Sequence, residues 1–108
     1  MNDRLRMNSM RSVRPTSFPD DPFVDSMAVL GQAIRAARTH AGLPMISAAM
    51  AARVSVQTLV DVEAGKPTVS IGKLLQIADA LGVSLFVAPA AQREEIRSQL
   101  RKTSKTSQ

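Results

Sequence analysis

The 108-residue chain has no cysteine, no tryptophan and no tyrosine, and its only aromatic residues are Phe18, Phe23 and Phe86. Without cysteine there are no disulfides and no thiolate metal sites, which fits a reducing cytoplasm. With so few aromatics the core must be built from Ala, Leu, Val, Ile and Met. That favours closely packed helices over a β-sandwich. No apolar run approaches the roughly 20 residues needed to span a bilayer. The stretch "MNDRLRMNSMRSVRP" has basic residues with no apolar segment after them, so it does not read as a secretory signal, and a cytoplasmic protein is expected. His40 is the only histidine, and its place at a helix end is accounted for by a favourable interaction with the helix dipole. No histidine pair or nucleophile–base set is suggested, and "GKPT" lacks the upstream glycine and spacing of a phosphate-binding loop. The chain is not expected to be an enzyme or to need a metal or cofactor.

The composition, 44% hydrophobic and 21% charged, is that of one small globular domain with tails. The net charge of +5 is unevenly placed. Residues 1–25 balance Arg4, Arg6, Arg11 and Arg14 against Asp3, Asp20, Asp21 and Asp25. Most of the excess lies after residue 90, in Arg93, Arg97, Arg101, Lys102 and Lys105. A basic protein of this kind often meets nucleic acid; a solvated surface accounts for the charge equally well.

Residues 1–21 lack apolar periodicity and read as a flexible, arginine-containing arm. A first helix follows, capped by Ser26 or Asp25, with Met27, Leu30, Ile34 and Ala37 at helical spacing and Gly42 suited to its left-handed end. "LPMISAAMAARV" predicts a short second helix. Pro44 fits its first turn, and Ala48, Ala49 and Ala52 are small enough to let another helix approach. Ser55 caps a third helix that buries Leu59 and Val62 and stops at Gly65. Ser70 caps a fourth, with Ile71, Leu74, Leu75, Ala78 and Leu81 as its buried stripe and Gly82 at its end. "VSLFVAP", residues 83–89, is a short run of β-formers closed by Pro89. A single strand cannot satisfy its own hydrogen bonds. Either the same strand of a second copy pairs with it about a two-fold axis through Leu85, Phe86 and Val87, or the segment packs extended on its own helices. Residues 90–108 form a basic helix or tail with Ile96 and Leu100 as a thin apolar seam.

The second and third helices are separated by "ARV". Ala49 permits a close crossing and Val54 plugs the space beneath the turn, which is what a helix-turn-helix requires. From Leu30 to Leu85 the chain resembles the Xre/Cro-type helix-turn-helix family. The matches are Arg38, Gly42, Val54-Ser55 with Thr58, Glu63 with Gly65-Lys66, and the late "ALGVSL". The resemblance implies an all-α, lambda-repressor-like bundle of four to five short helices over residues 22–82, followed by one short strand. Within the family, "GKPTVSIGKLLQIADALGVSLFV" is similar to HipB-like antitoxins. That likeness implies a homodimer joined through the strand, repression of the protein's own operon on double-stranded DNA, and binding to a HipA-like kinase toxin.

Residue roles follow from the same resemblance. Arg38 and Glu63 match positions that pair between the first and third helices, and the pair is expected to be structural. Met45, Ser55, Val56, Gln57, Thr58, Asp61 and Lys66 match positions that meet DNA. Gln57 can bond an adenine edge bidentately, Val56 can touch a thymine methyl, and Ser55, Thr58 and Lys66 suit phosphates. Three departures bear on affinity. Pro44 and Met45 stand where the family favours Ser or Thr and then Gln, Arg53 replaces the usual turn glycine, and Asp61 replaces a polar or basic reader. Arg4, Arg6, Arg11 and Arg14 could reach a minor groove, and Arg97, Arg101, Lys102 and Lys105 could hold phosphates. The other expectation is a protein-interaction module with a degenerate helix-turn-helix that binds a partner and reads DNA weakly.

Overall fold

A computed structural model describes residues 13–106 of the chain. Four helices form the body: α1 (Met27–His40), α2 (Met45–Ala52), α3 (Val56–Glu63) and α4 (Ile71–Ala80). A single 3-10 turn (Ala90–Gln92) leads into α5 (Arg93–Thr106). Three helices begin at the serines expected. The hydroxyl oxygens of Ser26, Ser55 and Ser70 accept from the amides of Val29, Thr58 and Lys73, each satisfying a donor that the first helical turn leaves open. Pro44 takes the N-cap position of α2, one residue before the first helical turn, where it has no side-chain bond to offer.

The first four helices stop in the same way. A left-handed residue follows each, with two tight amide-to-carbonyl bonds closing the end. At α1 the amides of Gly42 and Leu43 donate to the carbonyls of Thr39 and Arg38; at α3 those of Gly65 and Lys66 donate to Val62 and Asp61; at α4 those of Gly82 and Val83 donate to Asp79 and Ala78. At α2 the left-handed residue is Arg53, with φ of 60°, and the amides of Arg53 and Val54 donate to Met50 and Ala49.

The core is aliphatic. Ile34, Leu59, Val62 and Ile77 are its largest fully buried side chains, with Ala48, Ala49 and Ala52 filling the crossings. Around them Met27, Leu43, Met45, Val54, Val69, Leu81 and Val83 pack partly buried. The stripe expected on α4 needs correction. Leu74 and Ala78 are buried, but Ile77 joins them in place of Ile71 and Leu75, which are 68% and 50% exposed. The bundle covers a narrower arc of α4 than the apolar spacing suggests.

The expected strand is also corrected. Among the described residues none is in a strand, and residues 83–89 run as coil. Among the described residues no main-chain bond joins residues 84–88 to another segment. Phe86 and Val87 face outward, Val87 at 99% exposure. A run of β-formers with no pairing edge among the described residues has nothing there to make it a strand.

Two ties lie outside the bundle. Residues 16–18 run along α1. The Thr16 amide donates to Thr39 Oγ1 at 2.9 Å, His40 Nε2 donates to the Thr16 carbonyl at 3.0 Å, and Gln32 Nε2 donates to the Ser17 carbonyl at 3.1 Å. The Phe18 ring lies 5.6 Å from the His40 ring. Thus part of the segment expected to be a flexible arm is bonded to α1, and His40 serves this contact. Helix α5 is tied back through Arg97, which donates from Nε and Nη2 to both carboxylate oxygens of Asp21, pairs with Glu94, and lies over the Phe23 ring at 5.2 Å. Arg97 is therefore spent inside the protein and is not open to a phosphate. Arg4, Arg6 and Arg11 lie outside the described residues. Among the described residues no single helix is long and apolar enough to cross a membrane.

Candidate nucleic-acid interface

Helices α2 and α3 meet across residues 53–55 at an angle of 107°, within the range for a helix-turn-helix. The turn is fixed from three sides. Val54 packs beneath it on the core. Ala49 and Ala52, both buried, let the helices close. From α4, Gln76 Nε2 donates to the carbonyls of Ala52 and Arg53 at 2.7 and 3.2 Å. Those carbonyls sit at the end of α2, where the helix leaves acceptors unpaired. Sequence reasoning did not find Gln76, because a bond to carbonyls 23 and 24 residues away leaves no local pattern.

Helix α3 is set against α1 by backbone proximity and by one ion pair. A Cβ on Gly31 would stand 2.4 Å from the Val62 carbonyl oxygen, and one on Gly65 would stand 2.9 Å from the Ala28 Cα. Only glycine allows these approaches. The signal for Gly31 was its place inside a helical pattern, where glycine weakens the helix unless packing requires it. Arg38 Nε donates to Glu63 Oε2 at 2.6 Å and Nη2 to Oε1 at 3.0 Å, while Nη1 donates to the Leu43 carbonyl at 2.9 Å. The two side chains are 9% and 6% exposed. One arginine thus joins α1, the loop before α2 and the end of α3.

Held in this way, α3 turns one face of its first two turns outward. Ser55, Val56 and Gln57 are exposed, Thr58 and Asp61 are half-buried, and Lys66 is exposed just beyond the helix. Two bonded groups organise the face. Ser55 and Thr58 share a hydroxyl–hydroxyl bond of 2.8 Å. Gln57 Nε2 donates to Asp61 Oδ1 at 2.8 Å, and Lys66 Nζ lies 3.3 Å from the same oxygen. The Gln57 hydrogen bond and then Lys66 hold the Asp61 carboxyl below the usual aspartate range, so it is ionised at neutral pH. Six of the seven residues expected to meet DNA therefore lie on or next to this face. Met45 is different: it opens α2 and packs partly on the core. The outer surface of α2 carries Ile46 and Met50, both exposed.

A helix-turn-helix family profile matches residues 34–87, half of the chain. An uncharacterized HTH-type transcriptional regulator, y4mF, of Sinorhizobium fredii (strain NBRC 101917 / NGR234) is 38% identical over 72 residues, a match spanning 66% of this chain and 95% of the relative. No solved structure matches the chain. The chain belongs to the helix-turn-helix family, and the crossing of α2 and α3 is the element that defines it.

Proposed function

We propose that the protein is a sequence-specific DNA-binding transcriptional repressor that acts as a homodimer, and that its particular role is that of a HipB-like antitoxin regulating its own operon. The observation that carries this reading is the exposed face of α3, Ser55 to Asp61, held at 107° to α2. In such a motif the second helix enters the major groove and the first crosses the backbone. Gln57 then meets a base edge, Ser55 and Thr58 meet phosphates, and Lys66 meets the backbone beyond the helix. The likeness to an HTH-type transcriptional regulator supports the regulatory role.

Dimerisation is supported by the apolar surface beside the coil. Ile71, Leu85, Phe86 and Val87 are exposed and line an open groove of about 410 Å³ with residues 21–25 and the start of α5, and exposed Leu75 lines a neighbouring depression with Leu85. Two-fold pairing of residues 83–89 would satisfy their main chain and cover these side chains. Phe86→Asp should then give monomers in sedimentation velocity, and dimers that persist would remove this interface.

The DNA reading is tested by fluorescence anisotropy on the duplex upstream of the protein's own gene. Binding should exceed that to a scrambled duplex and fall steeply between roughly 50 and 200 mM salt. Equal binding to both duplexes would refute the reading. The antitoxin role requires a stable complex with a HipA-like kinase encoded beside the gene, and failure to co-purify would remove it.

A second reading has its own observation. Ile46, Met50, Val56 and Val60 are all exposed on the two helices of the motif, an apolar surface better matched to a protein partner than to phosphates. A partner competing with DNA for this face would support it. Loss of sequence-specific DNA binding in Gln57→Ala would count against it.

A further inference from the structure

This inference rests on the DNA-reading function proposed above and concerns how that reading is made specific. Asp61 stands where an acidic side chain opposes a polyanion. Its place is nevertheless well defined: Oδ1 accepts from Gln57 Nε2 at 2.8 Å, one helical turn away, with Lys66 Nζ at 3.3 Å. We propose that Asp61 is a positioning residue that fixes the orientation of the Gln57 amide and thereby sets a preference for adenine.

An ionised carboxylate only accepts hydrogen bonds. The end of the Gln57 amide that faces Asp61 must therefore be the NH₂ group, and the carbonyl Oε1 must point away. One N–H is used by Asp61. What remains for DNA is the second N–H beside Oε1, an adjacent donor and acceptor. Adenine offers the matching pair in the major groove, with N7 to accept and N6–H₂ to donate. Guanine offers two acceptors, N7 and O6, one of which would face Oε1. Without Asp61 the amide can turn over, and ordering it on DNA costs side-chain freedom. Lys66 compensates the Asp61 charge, so the buttress repels phosphate less than a bare carboxylate would.

Met45, at the start of α2, cannot supply this brace. Its side chain has no amide or hydroxyl to hold a neighbouring reader, and it packs on the core.

The test uses the full chain. Duplexes are first selected from a random pool by the wild-type protein, and affinities are then measured for adenine against guanine at the position that Gln57→Ala no longer discriminates. The wild type should prefer adenine on the order of tenfold. Asp61→Ala should reduce that preference to within about twofold while binding all duplexes more tightly, since a negative charge is removed. Asp61→Asn, which keeps a carbonyl acceptor, should retain much of the preference. A role limited to charge repulsion would raise affinity uniformly and leave the ratio untouched. Asp61→Ala with the wild-type ratio therefore overturns the proposal but leaves the DNA-reading function standing. A wild-type protein that selects no sequence overturns the function itself. Far-UV circular dichroism confirms that each variant is folded.

Discussion

Removing the Arg38 guanidinium is the sharpest test of how α3 is held. Arg38→Ala leaves the Glu63 carboxylate, 6% exposed, without either of its two bonds from Arg38, and leaves the Leu43 carbonyl without its donor. Breaking one half of a buried ion pair costs about 3–5 kcal/mol, because the remaining charge stays desolvated. A domain of this size has about 5–15 kcal/mol in total, so a large share would be lost. The chain lacks tryptophan and tyrosine, so urea unfolding is best followed by far-UV circular dichroism. With a slope of about 1–3 kcal/mol per molar urea, the midpoint should fall by about 2 M. The double variant Arg38→Met with Glu63→Leu should be more stable than Arg38→Ala, since no charge is then buried alone. A midpoint for Arg38→Ala within about 0.5 M of wild type would refute the reasoning. So would a double variant whose loss equals the sum of the losses of Arg38→Met and Glu63→Leu alone, since that would mean the residues do not act as a pair.

Three further outcomes follow from the geometry. Gly31→Ala would gain up to about 1 kcal/mol in helix propensity, but its Cβ would meet the Val62 and Glu63 carbonyls at 2.4 and 2.9 Å. Overpacking should win by about 1–3 kcal/mol, and a raised melting temperature would show that α1 and α3 are not in close contact. Arg53→Gly relieves a left-handed residue at φ of 60° and should stabilise by about 1 kcal/mol, read as a melting temperature a few degrees higher; a fall would show that the Arg53 side chain contributes more than its backbone costs. The pairing of Asp21 with Arg97 should be lost in acid. Hydrogen bonds from Arg97 and then from the Phe23 amide hold the Asp21 carboxyl below its ordinary range. Its contribution is therefore present above the unfolded-state value and lost as pH falls through the lower folded value. Amide exchange in α5 should rise as pH drops below about 4, after correction for intrinsic rates, and Asp21→Asn should remove that pH dependence.

The parts of the fold legible in the sequence are the ones with local causes. Serine caps and left-handed glycines act within five residues of where they stand, so Ser26, Ser55, Ser70, Gly42, Gly65 and Gly82 marked helix ends directly. Arg53 takes the left-handed conformation at the turn position where the family has glycine. What failed depended on neighbours. Ile71 and Leu75 share an apolar spacing with Leu74, but which residues of a stripe are covered is set by the elements packed on it, and here Ile77 took their place. The run from Val83 to Pro89 has the composition of a strand, yet composition reports apolarity and branching. Pairing requires an edge, and the described residues offer none to this segment. Gln76 and the ties from Thr16, Ser17 and Asp21 span 15 to 76 residues, and nothing in the local pattern announces such contacts.

The candidate site was legible residue by residue but not as a unit. Gln57 and Asp61 are four apart on a helix, the spacing at which side chains meet, yet they read from the sequence as two separate contacts with DNA. Their bond changes the electrostatic argument about α3. Both acids on this helix are compensated within the protein, Glu63 by Arg38 and Asp61 by Lys66. The helix thus presents little uncompensated negative charge to a phosphate backbone, and the lack of arginine or lysine within it weighs less against DNA reading than the sequence suggests. The consequence is quantitative. Opposite charges a few ångströms apart largely cancel beyond the Debye length of about 8 Å at physiological salt, so long-range attraction to DNA must come from elsewhere. Arg97 is engaged by Asp21 and Glu94. If α3 reads DNA as proposed, it contributes selectivity, and the salt-dependent share of affinity falls to basic residues outside it, doubled if the protein is a dimer.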